Sequence, residues 1–334
     1  MRFSPSLSAA LAGHFFRNAL KGQKRFPLVL MLEPTHRCNL SCAGCDRIRL
    51  YGSRLSRDLT LEECLQAALD SKAPVVTVTG GEPLLYGDLK ELLHRLIMMK
   101  RHVYLCTNGL LATDFVDEYR PHPRLTLNFH VDGMEETHDR IAGRQGTFKK
   151  SIEALAHAKE SGFRVCTNTS VYRRTDTAEL IELFSLLTSM HVDGILVAPA
   201  FGYESVDDDI FLKREEAAEK FREMSTKIRR FPMMSTPLYL DFLEGKGWMD
   251  CTPWGNPTRN PLGWKSPCYL ITDTYYATFR ELMEQTRWND YGPGRDERCK
   301  NCMVHSGFEP TAMREGFTRP GKMLRLLAWN MRSR

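Results

Sequence analysis

No stretch of this chain stays apolar long enough to cross a bilayer. The two longest largely uncharged runs are Phe26 to Leu32, stopped by Glu33, and Gly194 to Tyr203, interrupted by Pro199; a spanning helix needs about 20 residues. The first 22 residues also lack the compact apolar run and small-residue cleavage site of a signal peptide. Internal repeats and low-complexity tracts are missing too, and 23 Gly and 17 Pro dispersed over 334 residues exclude collagen, coiled coil and a disordered tail. These absences predict a cytoplasmic globular protein, where thiols stay reduced and the ten cysteines are ligands or buried thiols rather than disulfides. The rest is ordinary, with 42% hydrophobic and 26% charged residues, and is long enough for one barrel-sized α/β domain with an appendage.

Acidic side chains are absent from residues 1–30, which hold Arg2, Arg17, Lys21, Lys24 and Arg25, while residues 311–334 carry six basic side chains and one acid. The two tails together carry +10 and the middle −5. A nucleic-acid reader usually bears its basic face on the folded body, so the pattern argues against nucleic acid and for ends that meet an anionic surface. Leu7, Leu11, Phe15 and Ala19 share one helical stripe, with His14, Arg17 and Lys21 on other faces. Met323, Leu326, Leu327 and Met331 share another, beside Lys322, Arg325 and Arg332, with Trp329 as an interfacial anchor. Helices of this type either lie on the inner membrane surface or pack on a core.

Short β-type runs alternate with amphipathic helical ones. Strands are expected at residues 27–33, 74–80, 102–108, 125–131, 163–171 and 194–200, and helices near 61–69, 89–99, 113–119, 148–159, 178–190 and 213–230. Six βα units in a row predict a parallel sheet, and right-handed crossovers curl it into an open, partial (βα)6 barrel with its chemistry at the C-terminal strand ends. Beyond residue 232 proline and glycine punctuation ends this pattern. The expected organisation is a basic amphipathic segment (1–26), the barrel (27–231) and a Cys/Pro/Trp-rich C-terminal domain with a basic tail (232–334).

Directly after the first strand comes Cys38-Asn-Leu-Ser-Cys42-Ala-Gly-Cys45. Three thiolates in eight residues can hold three corners of an iron–sulfur cubane and leave the fourth iron open; a zinc knuckle would need a fourth ligand, for which His36 is the near candidate. Gly80-Gly81-Glu82-Pro83 closes strand two, Thr107-Asn108-Gly109 closes strand three, His130-Val131-Asp132-Gly133 closes strand four, and His138-Asp139-Arg140-Ile141-Ala142-Gly143-Arg144 follows. Strand five ends in Cys166-Thr167-Asn168-Thr169-Ser170. Singly, such polar residues are turn formers or caps; five clusters beside a cysteine loop favour a site.

With these motifs the chain resembles the radical S-adenosylmethionine (SAM) superfamily over roughly residues 27–230. The resemblance implies a [4Fe-4S] cluster on Cys38, Cys42 and Cys45 whose unique iron chelates the methionine part of SAM. One electron, from a reductant such as flavodoxin or ferredoxin, then releases a 5′-deoxyadenosyl radical. It further implies that Gly80 and Gly81 allow close backbone approach, that Glu82 accepts from the ammonium, and that Asp132 meets ribose or substrate. Arg144 would meet the methionine carboxylate, and Asn108, Asn168 and Ser170 stand at strand ends, the last two suited to ribose hydroxyls. Gly44 departs from the pattern, since an aromatic residue often precedes the third cysteine and packs on adenine.

Longer stretches are similar to the adenosylhopane synthases, a family joining adenosine to a hopene: Arg25-Phe-Pro-Leu-Val-Leu-Met-Leu-Glu33-Pro34, Cys251-Thr-Pro-Trp-Gly-Asn-Pro-Thr-Arg259, Pro267-Cys268-Tyr-Leu and Cys299-Lys-Asn-Cys302-Met-Val-His-Ser-Gly-Phe-Glu309. That resemblance implies addition of the adenosyl radical to the terminal alkene of diploptene. Ser306, where a further cysteine is expected, and the basic loop 46–55 depart from it and leave room for another lipid or small-molecule substrate, or for hydrogen abstraction. A zinc-stabilised binding module is the non-enzyme alternative.

Cys251, Cys268, Cys299 and Cys302 suffice for a second metal or iron–sulfur cluster. A fused-ring hydrocarbon offers nothing to hydrogen-bond, so its pocket must be apolar, and Phe201, Tyr203, Tyr239, Phe242, Trp254 and Trp264 are the candidate lining. Cys64 and Cys166 read as buried thiols. Cys106 precedes the end of strand three, where alternation can aim it into the barrel; it is then either the hydrogen-atom donor that the implied addition reaction needs or a buried strand thiol. Replacing Cys38, Cys42 or Cys45 by Ala should abolish reductive SAM cleavage in an anaerobic 5′-deoxyadenosine assay while far-UV circular dichroism stays native; full cleavage by Cys42→Ala refutes the cluster.

Overall fold

The computed structural model describes residues 3–45, 57–203, 206 and 209–331; the basic loop 46–55, Arg2 and Arg332 lie outside them. Six parallel strands form where apolar, β-branched residues alternate: β1 (Val29–Thr35), β2 (Val75–Gly80), β3 (His102–Thr107), β4 (Leu125–His130), β5 (Arg164–Val171) and β6 (Gly194–Pro199). Each lies within two residues of its expected bounds. The helices preceding and connecting them are α1 (Pro5–Leu20), α2 (Leu61–Ser71), α3 (Leu89–Met98), α4 (Ala112–Glu118), α5 (Glu135–Ala142), α6 (Thr147–Glu160), α7 (Thr177–Ser189) and α8 (Arg214–Ile228). Local chemistry sets their ends: Ser4 caps α1 ahead of Pro5, and Thr60 and Glu63 form a reciprocal capping box on α2.

Strand period decides the layers. Leu30, Leu32, Val76, Val78, Val103, Leu105, Leu127, Val165 and Ile195 are buried in one core with the apolar faces of the flanking helices. The residues that alternate with this set along the strands, Met31, Thr77, Thr79, Tyr104, Cys106, Asn128 and Asn168, line a cavity inside the barrel. The fold is thus an α/β partial barrel, as expected.

The sheet does not stop where the βα alternation does. Its order is β6-β5-β4-β3-β2-β1 followed by β7 (Thr258–Asn260), β8 (Gly263–Pro267) and β9 (Thr272–Tyr276). β7 pairs parallel with β1, Met31 opposite Thr258, and β8 and β9 continue antiparallel. Helices α9 (Pro237–Leu243), α10 (Phe279–Gln285), α11 (His305–Thr318) and α12 (Pro320–Met331) complete the C-terminal part. Four of these helices, α5, α9, α10 and α11, were not expected from the sequence. The α5 segment reads as a string of motif residues, and α11 contains Gly307, Pro310 and Gly316. Pro310 has no N–H for the Ser306 carbonyl one turn back, and the Asn256 side chain supplies the missing donor at 2.9 Å.

Helix α1 turns its stripe inward: Leu7 and Leu11 are buried against Val75 at the barrel's N-terminal end, with Phe3, Val29, Tyr104 and Met313 around them. The packing alternative therefore holds for this stripe. His14, expected on a polar face, is buried with Nε2 2.8 Å from the Pro27 carbonyl. Trp329, expected as an interfacial anchor, is buried and meets Phe3 edge-on at 5.3 Å. What stays outside is Phe16 and Leu20 on α1 and Leu324, Leu327 and Met331 on α12. Among the described residues no helix is long and apolar enough to cross a membrane. If α1 is the floor of the barrel, Leu11→Ala should cost about 2 kcal/mol or more, read as a lower midpoint in urea unfolding; an unchanged midpoint contradicts it.

Candidate active site

The cysteine loop leaves β1 and is fixed from three sides. The Gly81 amide donates to the Thr35 carbonyl at 3.0 Å and the Glu82 amide to the Arg37 carbonyl at 2.8 Å, stitching the end of β2 to the start of the loop. A side chain at Gly80 would strike the Thr35 carbonyl and one at Gly81 the Arg37 carbonyl, which is why both are glycine. The Ala43 amide donates to Ile141 at the end of α5, 2.8 Å away, and Asn108 Nδ2 donates to Asn39 Oδ1 at 2.7 Å. Cys38, Cys42 and Cys45 are partly exposed and all line the barrel cavity. Burial raises the Cys42 thiol well above its usual range, with Cys45, Asp132 and Cys38 adding to the effect. Three thiols that repel one another as anions at a cavity mouth fit a cationic iron–sulfur group.

Around that mouth the strand ends present a hydrogen-bonded ring. Glu82 is buried and accepts from Thr107 Oγ1 (2.9 Å), the Asn108 amide (2.8 Å) and the Leu84 amide (3.1 Å). Burial nonetheless raises its carboxyl to about 7, the three donors pulling the other way. Asp132 is buried; Oδ1 accepts from the Ser170 amide at 2.7 Å and Oδ2 lies 2.8 Å from His130 Nε2. Burial opposes charge on His130, but Asp132 prevails and raises it. Asn168 Nδ2 lies 3.2 Å from His130 Nδ1, which leaves its buried Oδ1 unpartnered among the described residues.

Of the expected site residues, Gly81, Glu82, Asn108, Asp132, Asn168, Ser170 and Cys106 line one cavity of about 460 Å³, together with Phe201 and Tyr203. Arg144 does not. It is exposed on the turn between α5 and α6, its amide donating to the Asp139 carbonyl, so it is corrected from carboxylate ligand to turn residue. Trp254 and Trp264 are corrected as well. Trp254 packs on Trp288 at 6.1 Å and under Arg25, and Trp264 is buried 4.9 Å from Phe279, both against partners of the C-terminal part and the N-terminal segment and not in the cavity. Tyr239 and Phe242 are likewise core residues beneath α11. Cys64 and Cys166 are fully buried, as expected.

The cavity is polar at one end and apolar at the other. Its floor is Leu7, Leu11, Leu28, Val29 and Val75, and one wall is the α11 face carrying His305, Glu309, Pro310 and Met313. The sequence reading missed that wall. Burial raises Glu309 to about 7 against a 2.8 Å bond from the Thr236 amide, and lowers His305 to about 4 with His130 adding to the shift. The only hint in sequence was that both sit in the Cys299–Glu309 motif.

The second cysteine set converges too. Cys251, Cys268 and the Cys299–Cys302 pair, from three separate segments, line a smaller cavity beside Phe201. Burial raises all four thiols, Cys299 to about 11 and Cys302 to about 12. The amides of Leu270 and Ile271 donate to Cys268 Sγ at 3.4 and 3.5 Å, and a side chain at Gly307 would crowd Cys251 Sγ. Amide donors to sulfur and a gap kept open by glycine suit thiolate ligands. Among the described residues no three His, Cys, Asp or Glu side chains are drawn together tightly enough to hold a single ion.

Comparison with known proteins places this geometry. Residues 32–187 match the model of the radical SAM superfamily, and residues 195–326 match a domain family of unknown function, DUF3463. The chain is 24% identical to the antilisterial bacteriocin subtilosin biosynthesis protein AlbA of Bacillus subtilis over 86% of this chain and 68% of that protein. It is 26% identical to the Fe-coproporphyrin III synthase of Methanosarcina barkeri over 57% of this chain and 49% of that enzyme, so it spans about half of that relative. The solved structure of Streptococcus suis SuiB bound to precursor peptide SuiA shares the fold at TM-score 0.67 and 15% identity, covering 91% of this chain and 76% of that one. Native anSMEcpe with bound AdoMet shares it at TM-score 0.58 and 17% identity, covering 92% of this chain and 100% of that one.

The raised Glu82 carboxyl makes a pH prediction. If Glu82 accepts from the SAM ammonium as expected, that contact needs the carboxylate, which is lost as pH falls through about 7, so SAM affinity of the reconstituted protein should weaken below that pH by up to about tenfold per unit. Titration calorimetry from about pH 6 to 8 reads it, and Glu82→Gln should flatten the dependence. A flat profile in the unsubstituted protein contradicts the role of Glu82.

Proposed function

We propose that this chain, whose residues 32–187 match the radical SAM superfamily model, adds the 5′-deoxyadenosyl group to the alkene of a hopene such as diploptene, forming an adenosylhopane. Its cofactors are a [4Fe-4S] cluster and SAM, and like other radical SAM enzymes it needs a reductant; we assign flavodoxin or ferredoxin to that part. When bound and reduced, the cluster on Cys38, Cys42 and Cys45 supplies the electron that cleaves SAM to methionine and the 5′-deoxyadenosyl radical. This chain's residues do the rest.

The observation carrying the proposal is the polarity of the cavity: charged and hydrogen-bonding groups at the cysteine end, then Cys106, then a floor of leucine and valine closed by α1. Such a shape suits a substrate whose reacting end lies near the cofactor and whose body is hydrocarbon. Glu82 holds the methionine amine, and Asp132, Asn168 and Ser170 take the ribose hydroxyls. Tyr172 fills the space left by Gly44, where a Cβ would lie 2.5 Å from its Oη, and it lines the cavity beside the cysteines; we assign the adenine face to it. Phe201 and Tyr203 guard the path past strand six. The second cysteine set is assigned an auxiliary iron–sulfur cluster. The basic residues Arg17 and Lys21 beside exposed Phe16 and Leu20 suit contact with an anionic bilayer, where a hopene resides.

Addition of the 5′-carbon to a 1,1-disubstituted alkene forms one carbon–carbon bond and leaves a tertiary carbon radical. Water is a poor hydrogen-atom donor, whereas a thiol has a weaker bond to give. Cys106 lines the cavity and burial raises its thiol to about 11, so it is protonated at neutral pH. Transfer breaks its S–H bond, forms the C–H bond and leaves a thiyl radical, which one electron from the flavodoxin or ferredoxin and one proton restore. The second reading, hydrogen abstraction from another substrate, is favoured by relatives named for peptide and porphyrin products. With diploptene, Cys106→Ala should keep SAM cleavage but lose the adduct or give both configurations at the new centre. Unchanged yield and configuration, by chiral chromatography and mass spectrometry, would remove the donor assignment.

A further inference from the structure

Cys106 does not stand alone in the barrel. The parallel register places it opposite Asn128 of β4, and Asn128 opposite Cys166 of β5, so the three form one row across neighbouring strands. Their side chains are bonded along that row. Cys166 Sγ donates to Asn128 Oδ1 at 3.4 Å, and Asn128 Nδ2 donates to Cys106 Sγ at 3.4 Å. Cys166 is sealed from the cavity, while Cys106 and the largely buried Asn128 both line it. The direction of the bonds matters: Cys106 sulfur is an acceptor from Asn128, so its own hydrogen is not spent on that residue.

We propose that Asn128 is the positioning residue for Cys106, holding the sulfur by an N–H bond that leaves the S–H hydrogen facing the cavity, and that Cys166 locks the Asn128 amide in this orientation from the other side. The inference rests on the reading of Cys106 as hydrogen-atom donor. An amide has two ends, and with Cys166 donating to its oxygen the nitrogen is left for Cys106. Without Cys166 the amide could turn over, accept the Cys106 hydrogen on its oxygen, and point it away from the carbon radical. Two cysteines of which only one reaches the cavity thereby have distinct parts, one giving the hydrogen and the other setting its direction.

The first test needs no lipid. In the anaerobically reconstituted holoenzyme, the rate of iodoacetamide alkylation at Cys106 is followed against pH by peptide mass spectrometry. Asn128→Leu removes the N–H donor that favours the Cys106 thiolate, so the profile should move to higher pH and the rate at fixed pH should fall several-fold. Cys166→Ala, which takes nothing from the Cys106 contact itself, should move it in the same direction by less and serves if the Leu variant does not fold. Profiles coincident with the unsubstituted protein in the folded variants overturn the proposal. The second test uses diploptene and the configuration of the adduct. Mixed configuration in Asn128→Leu and in Cys106→Ala supports it. Mixed configuration in Cys106→Ala alone overturns the positioning role, and an unaffected Cys106→Ala overturns only the donor reading beneath it.

Discussion

Side-chain alternation along a curled parallel sheet is the constraint on which the rest depends. In β2 to β6 one set of residues is apolar and packs under the helices, and the intervening set faces the barrel interior. Because the strands are in parallel register, interior residues of neighbouring strands stand side by side: Cys106, Asn128 and Cys166 in one row, and His130, Asn168 and Leu196 in the next toward the mouth. A one-residue slip of β4 would put Asn128 and His130 among the helices and Leu127 and Phe129 in the cavity. Both the polar ring and the thiol row would be lost together.

The same constraint separates two chemistries within about 460 Å³. At the C-terminal strand ends, backbone amides leave the sheet and are free to bind carboxylates, which is how Glu82 and Asp132 are held. At the opposite end α1 covers the sheet with Leu7 and Leu11. Buried acids with raised pKa, Glu82 and Glu309, occupy the upper part and the wall. Each is poorly solvated as an anion, and so each is responsive to a cation or a hydrogen-bonding group brought in by a ligand.

Most of the barrel was legible from sequence because strand and helix periods differ and the punctuation between them is sharp. The cysteine loop and the strand-end residues Glu82, Asn108, Asp132, Asn168 and Ser170 could be placed because topology alone brings strand ends together. The remaining site residues come from tertiary packing, which leaves no local signature. Helix α11 was obscured by Pro310, tolerated only because Asn256 satisfies the carbonyl it frees. Trp254 and Trp264 were assigned to the pocket on aromatic content, but aromatic content says that a residue is buried, not which cavity it faces. Arg144 carried a motif signal and faces solvent all the same. The gathering of Cys251, Cys268, Cys299 and Cys302 was suggested by their number and became visible only once three segments were folded onto one cavity.

The central claim is that the adenosyl radical ends on the substrate and not as free 5′-deoxyadenosine. The direct measurement is liquid chromatography and mass spectrometry of the lipid extract after anaerobic turnover of the reconstituted enzyme with SAM, reductant and diploptene. The account predicts a lipid carrying the intact adenosyl group, accumulating in proportion to the methionine released. Free 5′-deoxyadenosine formed in step with methionine, with diploptene recovered unchanged, would contradict it.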